Sequence, residues 1–321
     1  MQDRFGSADV LVLRSVEDPV AGDHDVLVRV HAAGCGPDVW HIMTGIPYMA
    51  RLAIGFRTPK IPIRGWDVAG TVVAVGASVE GLRVGDHVMG TASGSFAELA
   101  IGKPDTLVLK PDRLSFAEAA AVPVSGTTAL QAIRDTAKVT VDQTVLVTGA
   151  AGGVGTLTVQ IAKAFGAHVT GVCSTSKLEL VRSIGADDVI DYTREDFADG
   201  ARRWNVIVDT AGRRSLPQLR RALTSEGTLA IVGGDGGGPW TGGFFRGVIR
   251  APLLSLFVRQ RLRGVTAKVN QERLRALSDL IEAGSVTPIV DRTYSLGEAA
   301  DAVRYLAEGH PGGKVVITAS A

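Results

Sequence analysis

A chain of 321 residues, 45% of them hydrophobic, is long enough to bury the cores of two domains, and its 34 basic and 33 acidic side chains nearly cancel. That balance supplies no field to hold nucleic acid or an acidic partner. Two cysteines, Cys35 and Cys173, exclude a disulfide framework; with a polar start (Asp3, Arg4, Asp9) and no apolar run of membrane-spanning length, they lead us to expect a cytoplasmic protein without signal peptide or integral membrane segment.

Residues 1–122 read as short strands separated by turns. Val26, Val28, Val30 and Ala32 alternate with Leu27, Arg29 and His31, the period-two pattern of a half-buried strand. Residues 70–79, 83–89 around the Gly85-Asp86 turn, and 96–101 repeat it, and such close spacing predicts a partly closed β-barrel. Ser115 and Glu118 have the spacing of a capping box that starts an alanine-rich helix, interrupted by Pro123.

From 123 to 265 strands and helices alternate. The run VLVTGAAGGVGTLTVQIAKAFGAHVTGVC (145–173) begins with a β segment at Val145, Leu146 and Val147. A turn with glycines at 149, 152, 153 and 155 then opens a helix carrying Val154, Leu157, Ile161, Ala162 and Phe165 on one face; Gly166 ends it, and a second strand starts at His168. A strand, a glycine turn, a helix N-terminus and another strand form a βαβ unit whose free N–H groups and positive helix end suit a pyrophosphate. Gly149, Ala151, Gly152, Gly153, Val154 and Gly155 are therefore candidate cofactor residues, although the spacing is Gly-x-x-Gly-x-x-Gly, not Gly-x-Gly-x-x-Gly. Helix 177–184 and strands 189–192, 206–210 and 229–232 continue the alternation, which predicts a doubly wound parallel sheet.

The run GGDGGGPWTGGFF (233–245) holds too many glycines for any element interior. A basic apolar segment follows, with Arg246, Arg250, Arg259, Arg261, Arg263 and Lys268. It reads as a surface helix with snorkelling arginines, or as a subunit contact, a lid or a weak membrane-surface contact. Residues 270–283 form a helix stopped by Gly284, Ser295 and Glu298 make a second capping box, and a helix with Ala299, Ala300, Val303 and Leu306 on one face leads to a closing strand at 314–318. The tail is expected to return to the first domain, giving domains 1–122 with 266–321, and 123–265.

Five stretches together resemble the medium-chain dehydrogenase/reductase superfamily in its zinc-independent, quinone-oxidoreductase-like branch: GWDVAGTVVAVG (65–76), RVGDHVMG (83–90), EAAAVPVSGTTAL (118–130), VLVTGAAGGVG (145–155) and GGKVVIT (312–318). The resemblance implies a GroES-like catalytic domain built from both chain ends, a Rossmann domain between them, and a homodimer. It also implies a nicotinamide near Thr128 and the Val232-Gly233 turn, with Lys314 near the cleft. Zinc-containing members have Gly-His-Glu where this chain has Gly65-Trp66-Asp67, and indole is no zinc ligand. Cys35 falls one residue before the remaining ligand position, which Gly36 occupies, and no cysteine lies between 36 and 172. We expect no metal, and Cys35 as a small buried hydrophobe.

About 20 residues past the glycine turn, where an acid would bind the ribose of NAD, stand Cys173, Ser174, Thr175, Ser176 and Lys177. Hydroxyls and an ammonium suit a 2′-phosphate, and similar quinone reductases hold it with residues matching Lys177 and Tyr192; NADP(H) is the expected cofactor. Many of these relatives have Asn where this chain has Gly36. Tyr48 is the candidate donor to a developing enolate oxygen, with Trp40 and His41 shaping a substrate pocket, and each of the three also has a purely structural reading. The expectation is an NADPH-dependent, metal-free reductase of quinones or α,β-unsaturated carbonyls. Its alternatives are an NAD(P)-dependent alcohol or aldehyde oxidoreductase, and a non-catalytic NADPH-binding sensor or structural protein.

Overall fold

The computed structural model describes residues 1–233, 240, 245–309 and 311–319, with Phe245, Arg246 and Val248 described in their backbone only. Most of the glycine-rich run 233–245 and the Arg246 side chain thus lie outside the described residues. In chain order the strands are β1 (Val26–Cys35), β2 (Asp67–Val75), β3 (His87–Ser93), β4 (Leu99–Leu109), β5 (Thr144–Thr148), β6 (His168–Cys173), β7 (Asp188–Asp191), β8 (Trp204–Asp209), β9 (Leu223–Ile231), β10 (Arg261–Gly264), β11 (Val290–Ser295) and β12 (Lys314–Thr318). They divide between two compact units, residues 1–127, 268–282 and 288–321, and residues 128–267 and 283–287.

In the first unit the sheet order is β11-β12-β1-β2-β3-β4, and β1 also pairs with β4, so the sheet closes on itself. Strand β1 is long enough for two partners: its first half, Val26 to Arg29, pairs antiparallel with β4, and its second half, Ala32 to Cys35, with β12. Val26, Val28 and Val30 enter the core as the period-two pattern requires, while His31 points away and meets the Thr71 hydroxyl at 2.9 Å. Both expected capping boxes form, Glu118 accepting from Ser115 N–H at 2.8 Å and Glu298 from Ser295 N–H at 2.8 Å. The unit reaches residue 127, beyond the break expected at 122, because the first turn of the helix Pro123–Leu130 is tied to β2 through Asp67.

The second unit is a parallel sheet in the order β10-β9-β8-β5-β6-β7. Its central strand β5 is buried on both faces, with Val145, Leu146 and Val147 at 0% exposure, as helices on either side of a parallel sheet demand. The helix Gly153–Ala164 is more enclosed than its one-faced apolar pattern predicts: Thr156, Thr158, Val159 and Gln160 are buried along with Leu157, Ile161 and Ala162. Gln160 accounts for this. Its amide donates to the Thr287 carbonyl at 2.9 Å and accepts from Thr287 N–H at 2.8 Å, so the segment 283–287 covers the outer side of the helix.

The basic segment is not one surface helix. A π-helical turn (Phe245–Arg250) and a short helix (Ala251–Ser255) give way to the edge strand β10, because Leu262 fits a fully buried place beside Leu229. Leu256 and Phe257, just before that strand, are 77% and 82% exposed. Among the described residues no helix is long and apolar enough to cross a membrane.

Candidate active site

The three fingerprint glycines of the second unit have different physical reasons to be glycine. Gly149, just after β5, has φ +62°, a conformation that costs any other residue. Gly155 packs so closely that a Cβ would overlap the Gly149 carbonyl. Gly152 has neither constraint: its φ is −82°, and a Cβ there would meet nothing nearer than the Gly149 oxygen at 3.5 Å. It is the N-cap of a twelve-residue helix and offers no side-chain cap to the helix N–H groups. Glycine at 152 leaves this backbone open to close approach, and the N–H groups of residues 153–155, at the start of the helix, are of the kind that suit an anion.

The ends of β5, β8 and β9 converge on this turn. The Asp209 carboxylate, at the end of β8, accepts from the Thr148 hydroxyl at 2.8 Å and from Gly212 N–H at 3.1 Å, and its backbone carbonyl accepts from Val232 N–H and Gly233 N–H at 3.0 and 2.9 Å. A Cβ at Gly233 would overlap the Thr210 carbonyl. The Val232-Gly233 turn and the Gly149 turn are thus held to one strand end, the crevice where doubly wound sheets bind their ligands. Thr128, the first residue of the second unit, is buried.

At the end of β6, Ser174 opens the turn Thr175–Lys177. Lys177 is partly exposed and, among the described residues, makes no ion pair. Tyr192 is half exposed and donates its backbone N–H to the Cys173 carbonyl, which brings it to the same strand end. The Asp191 carboxylate, one residue earlier, is turned inward: it accepts from the hydroxyls of Thr175 and Thr193 and from Thr193 N–H, and these bonds, Thr175 foremost, hold it below the usual carboxylate range. Burial, with the Asp191 charge adding, pushes the Cys173 thiol up to about 11.

In the first unit Lys314 begins β12 and is buried. Its Nζ donates to Asp67 Oδ2 at 2.8 Å and to Ser125 Oγ at 3.1 Å, while Asp67 Oδ1 accepts from Val124 N–H at 2.7 Å. The two charged side chains are 5% and 3% exposed. Burial alone would lower the lysine; the carboxylates of Asp67 and Asp38 outweigh it and raise its pKa, whereas burial and the Asp38 charge raise that of Asp67. Glycines make the room. A Cβ at Gly34 would sit 2.8 Å from Lys314 Cε, and one at Gly36 would sit 2.5 Å from Asp38 Oδ1 and 3.1 Å from Lys314 Nζ, so an asparagine at 36 would displace the ion pair. Cys35 lies buried between them, its thiol pushed up to about 12 by burial. Among the described residues no group of three or more His, Cys, Asp or Glu side chains is placed to hold a metal ion.

A cavity of about 260 Å³ opens beside this region of the first unit, walled by Val39, Ile42, Ile54, Ile61, Ile63 and Trp66, with Arg64 in its lining. On the helix Pro37–Thr44 it is thus Val39 and Ile42 that face the cavity. Trp40 packs against the barrel core, and the His41 ring is bonded through Nδ1 to the Ile46 carbonyl at 2.8 Å. Tyr48 is 38% exposed on the turn Tyr48–Ala50, with the Arg51 guanidinium 4.8 Å from its ring, and does not line the cavity. Ser125 and Arg64 were absent from the sequence-derived candidates. The signal for Arg64 was a charge in the otherwise apolar run Ile61-Pro62-Ile63; Ser125 carried none.

Residues 22–129 match the alcohol dehydrogenase GroES-like domain, and residues 184–317 match the family described as zinc-binding dehydrogenase. The metal in that description belongs to the family name; here residues 65–67 are Gly-Trp-Asp. A 2-methylene-furan-3-one reductase of Solanum lycopersicum is 35% identical over 98% of this chain and 76% of its own length. An NADPH-dependent alkenal/one oxidoreductase, chloroplastic, of Arabidopsis thaliana is 33% identical over 98% of this chain and 77% of its own. The solved structure of the quinone oxidoreductase from Coxiella burnetii is similar with a TM-score of 0.85, at 28% identity, over 99% of this chain and 98% of that one. By its glycine turn, its two kinds of sheet and these relatives, the chain belongs to the medium-chain dehydrogenase/reductase family, in its quinone-oxidoreductase-like branch.

Proposed function

We propose that the protein is an NADPH-dependent reductase of quinones and α,β-unsaturated carbonyls that works without a metal. The observation that carries this reading is Gly152, a glycine whose φ and surroundings would admit a capping side chain, at the mouth of a helix that has none. In this reading the N–H groups of residues 153–155 hold the pyrophosphate, Gly152 leaves room for its approach, Ser174, Lys177 and Tyr192 hold a 2′-phosphate, and Thr128, Val232 and Gly233 border the nicotinamide. Bound there, NADPH supplies a hydride. Trp66 and the un-ionised Cys35 leave no Lewis acid to polarise a saturated carbonyl, so the acceptors best suited to the site are those that spread the arriving charge by conjugation. Apolar walls such as Ile42, Ile63 and Trp66 exclude water from such an acceptor. Tyr48 is the proposed hydroxyl donor. The exposed Leu256 and Phe257 beside the edge strand β10 support a homodimer formed across that edge, and buried free thiols are consistent with the cytoplasm.

The test uses stereospecifically deuterated NADPH with an enone and a saturated ketone of the same shape. Label on the β-carbon, with the enone reacting faster, is expected. Label on a carbinol carbon, with both acceptors equally fast, would replace this reading with alcohol oxidoreduction.

A further inference from the structure

Arg64 brings a charge into the wall of the first unit's cavity, and among the described residues no acceptor meets its Nε and Nη2. The residue is 4% exposed, and two of its guanidinium nitrogens, Nε and Nη2, are buried without a hydrogen-bond partner. Its backbone, by contrast, is firmly placed. The carbonyls of residues 64, 65 and 66 accept in turn from Phe96 N–H at 2.9 Å, Ser95 N–H at 3.2 Å and Ala92 N–H at 2.9 Å, and Gly65 takes φ +89° to allow the bend. The side chain is therefore delivered inward by a fixed backbone and left unpaired. Burial lowers its pKa only to about 10, so the guanidinium is charged at neutral pH.

A buried charge without a partner is costly, and a fold that retains one has a use for it. The identity of the two free nitrogens narrows that use. Nε and Nη2 lie on the same edge of the guanidinium plane, where they present two parallel N–H groups at the bite of a carboxylate. The cavity that Arg64 helps to line is otherwise walled by Ile42, Ile54, Ile61, Ile63 and Trp66, which ask for an apolar body attached to that carboxylate, and the exposed Lys60 adds a second positive charge to the lining. At about 260 Å³ the space is just below the roughly 300 Å³ at which drug-sized ligand pockets begin, so the occupant is small.

We propose that this cavity is a recognition pocket for a small apolar molecule bearing a carboxylate, with Arg64 Nε and Nη2 donating to its two oxygens, and that the acceptors of the reductase are conjugated ketones carrying such an acid. The second half rests on the reductase reading; the first does not.

The experiment has two arms. In the first, an eight-carbon vinyl ketone ending in a carboxylate and its methyl ester are compared as acceptors with NADPH. The wild-type protein should favour the acid in kcat/KM by about tenfold or more, the scale of a charge-assisted pair of hydrogen bonds. Arg64→Met should bring the acid-to-ester ratio to about one, and Arg64→Lys, a point charge without the fork, should restore part of it. In the second arm octanoate is titrated into the cofactor-free protein by calorimetry, with inorganic phosphate as the control. Octanoate should bind and Arg64→Met should abolish that binding, whereas phosphate, which the empty cofactor turn can take, should bind equally in both proteins. If no enone is reduced but octanoate binds through Arg64, the reductase reading fails and the pocket stands. The proposal is overturned if the wild-type protein reduces acid and ester at equal rates, if octanoate does not bind, or if octanoate binding survives Arg64→Met. It is also overturned if Arg64→Met melts well below wild type while the acid preference persists, since the arginine would then be holding the fold.

Discussion

The glycine turn of the second unit and the buried polar cluster of the first are sites of opposite construction. At the turn the atoms proposed to meet the cofactor belong to the backbone of neighbouring residues, 149–155, and the side chains contribute by being absent. In the cluster the interacting atoms sit at the tips of Asp67, Ser125 and Lys314, and the ion-paired residues are 247 positions apart in the chain. A backbone site tolerates any sequence that leaves space for it. A buried ion pair tolerates very little, since removing one partner strands the other charge in the core.

The largest effect that would break this comparison is therefore expected in the cluster. Lys314→Met should cost about 3–5 kcal/mol by chemical denaturation, because Asp67 is left buried and unpaired; the double variant with Asp67→Leu should recover most of it. An equal loss in both variants would mean that packing, not charge, dominates there. The pair also has a pH signature. The Lys314 pKa is raised above its ordinary 10.5, so its contribution is complete below 10.5 and is lost as pH climbs through the higher folded value. Wild type should lose stability in that alkaline range, and the double variant should not show this component of the loss.

Two alanines sharpen the contrast within the turn itself. Gly155→Ala drives a methyl into the Gly149 carbonyl and should cost about 1–3 kcal/mol of stability along with cofactor binding. Gly152→Ala should cost no more than about 1 kcal/mol of stability, the difference between glycine and alanine at an N-cap, and still weaken NADPH binding at least tenfold. Unchanged NADPH affinity in a fluorescence titration of Gly152→Ala would show that no ligand comes near that backbone.

A smaller effect is expected at Lys177. Its partly exposed ammonium should contribute the lower end of the roughly 1.5–3 kcal/mol of a charge-assisted bond, so Lys177→Ala weakens NADPH about tenfold and NADH hardly at all. Equal losses for the two cofactors would remove the 2′-phosphate assignment. The smallest is Tyr48→Phe. An enclosed donor to a developing oxyanion is worth on the order of 10²-fold in rate, and a hydroxyl on a residue 38% exposed should supply only a fraction of that. Turnover identical to wild type would leave Tyr48 as the partner of Arg51 and nothing more.

How much of the protein was readable in advance follows the same division. The capping boxes at Ser115 and Ser295, the strand β5, the glycine turn and the edge of β6 were legible because each is specified by residues within a few positions of one another. The basic segment misled: its arginines suggested a continuous surface helix, whereas the buried place beside β9 selected Leu262 and turned residues 261–264 into an edge strand. Gln160 misled in the other direction, a polar residue on a supposed solvent face that is covered because Thr287 matches both ends of its amide.

What the sequence by itself determined was most of the strands and helices, the two kinds of sheet, and the glycine turn, since periodicity and glycine placement act locally on φ, ψ and the direction of each side chain. Only the tertiary structure decided which charges are buried and which are met. Lys314 and Arg64 are both cations beside apolar residues in the linear chain, and nothing local tells them apart. The closing of the barrel brings Asp67 and Ser125 to Lys314 and, among the described residues, brings no acceptor to the Nε–Nη2 edge of Arg64. The energy of a charge depends on what lies within a few ångströms of it in space, and that is a property of the fold.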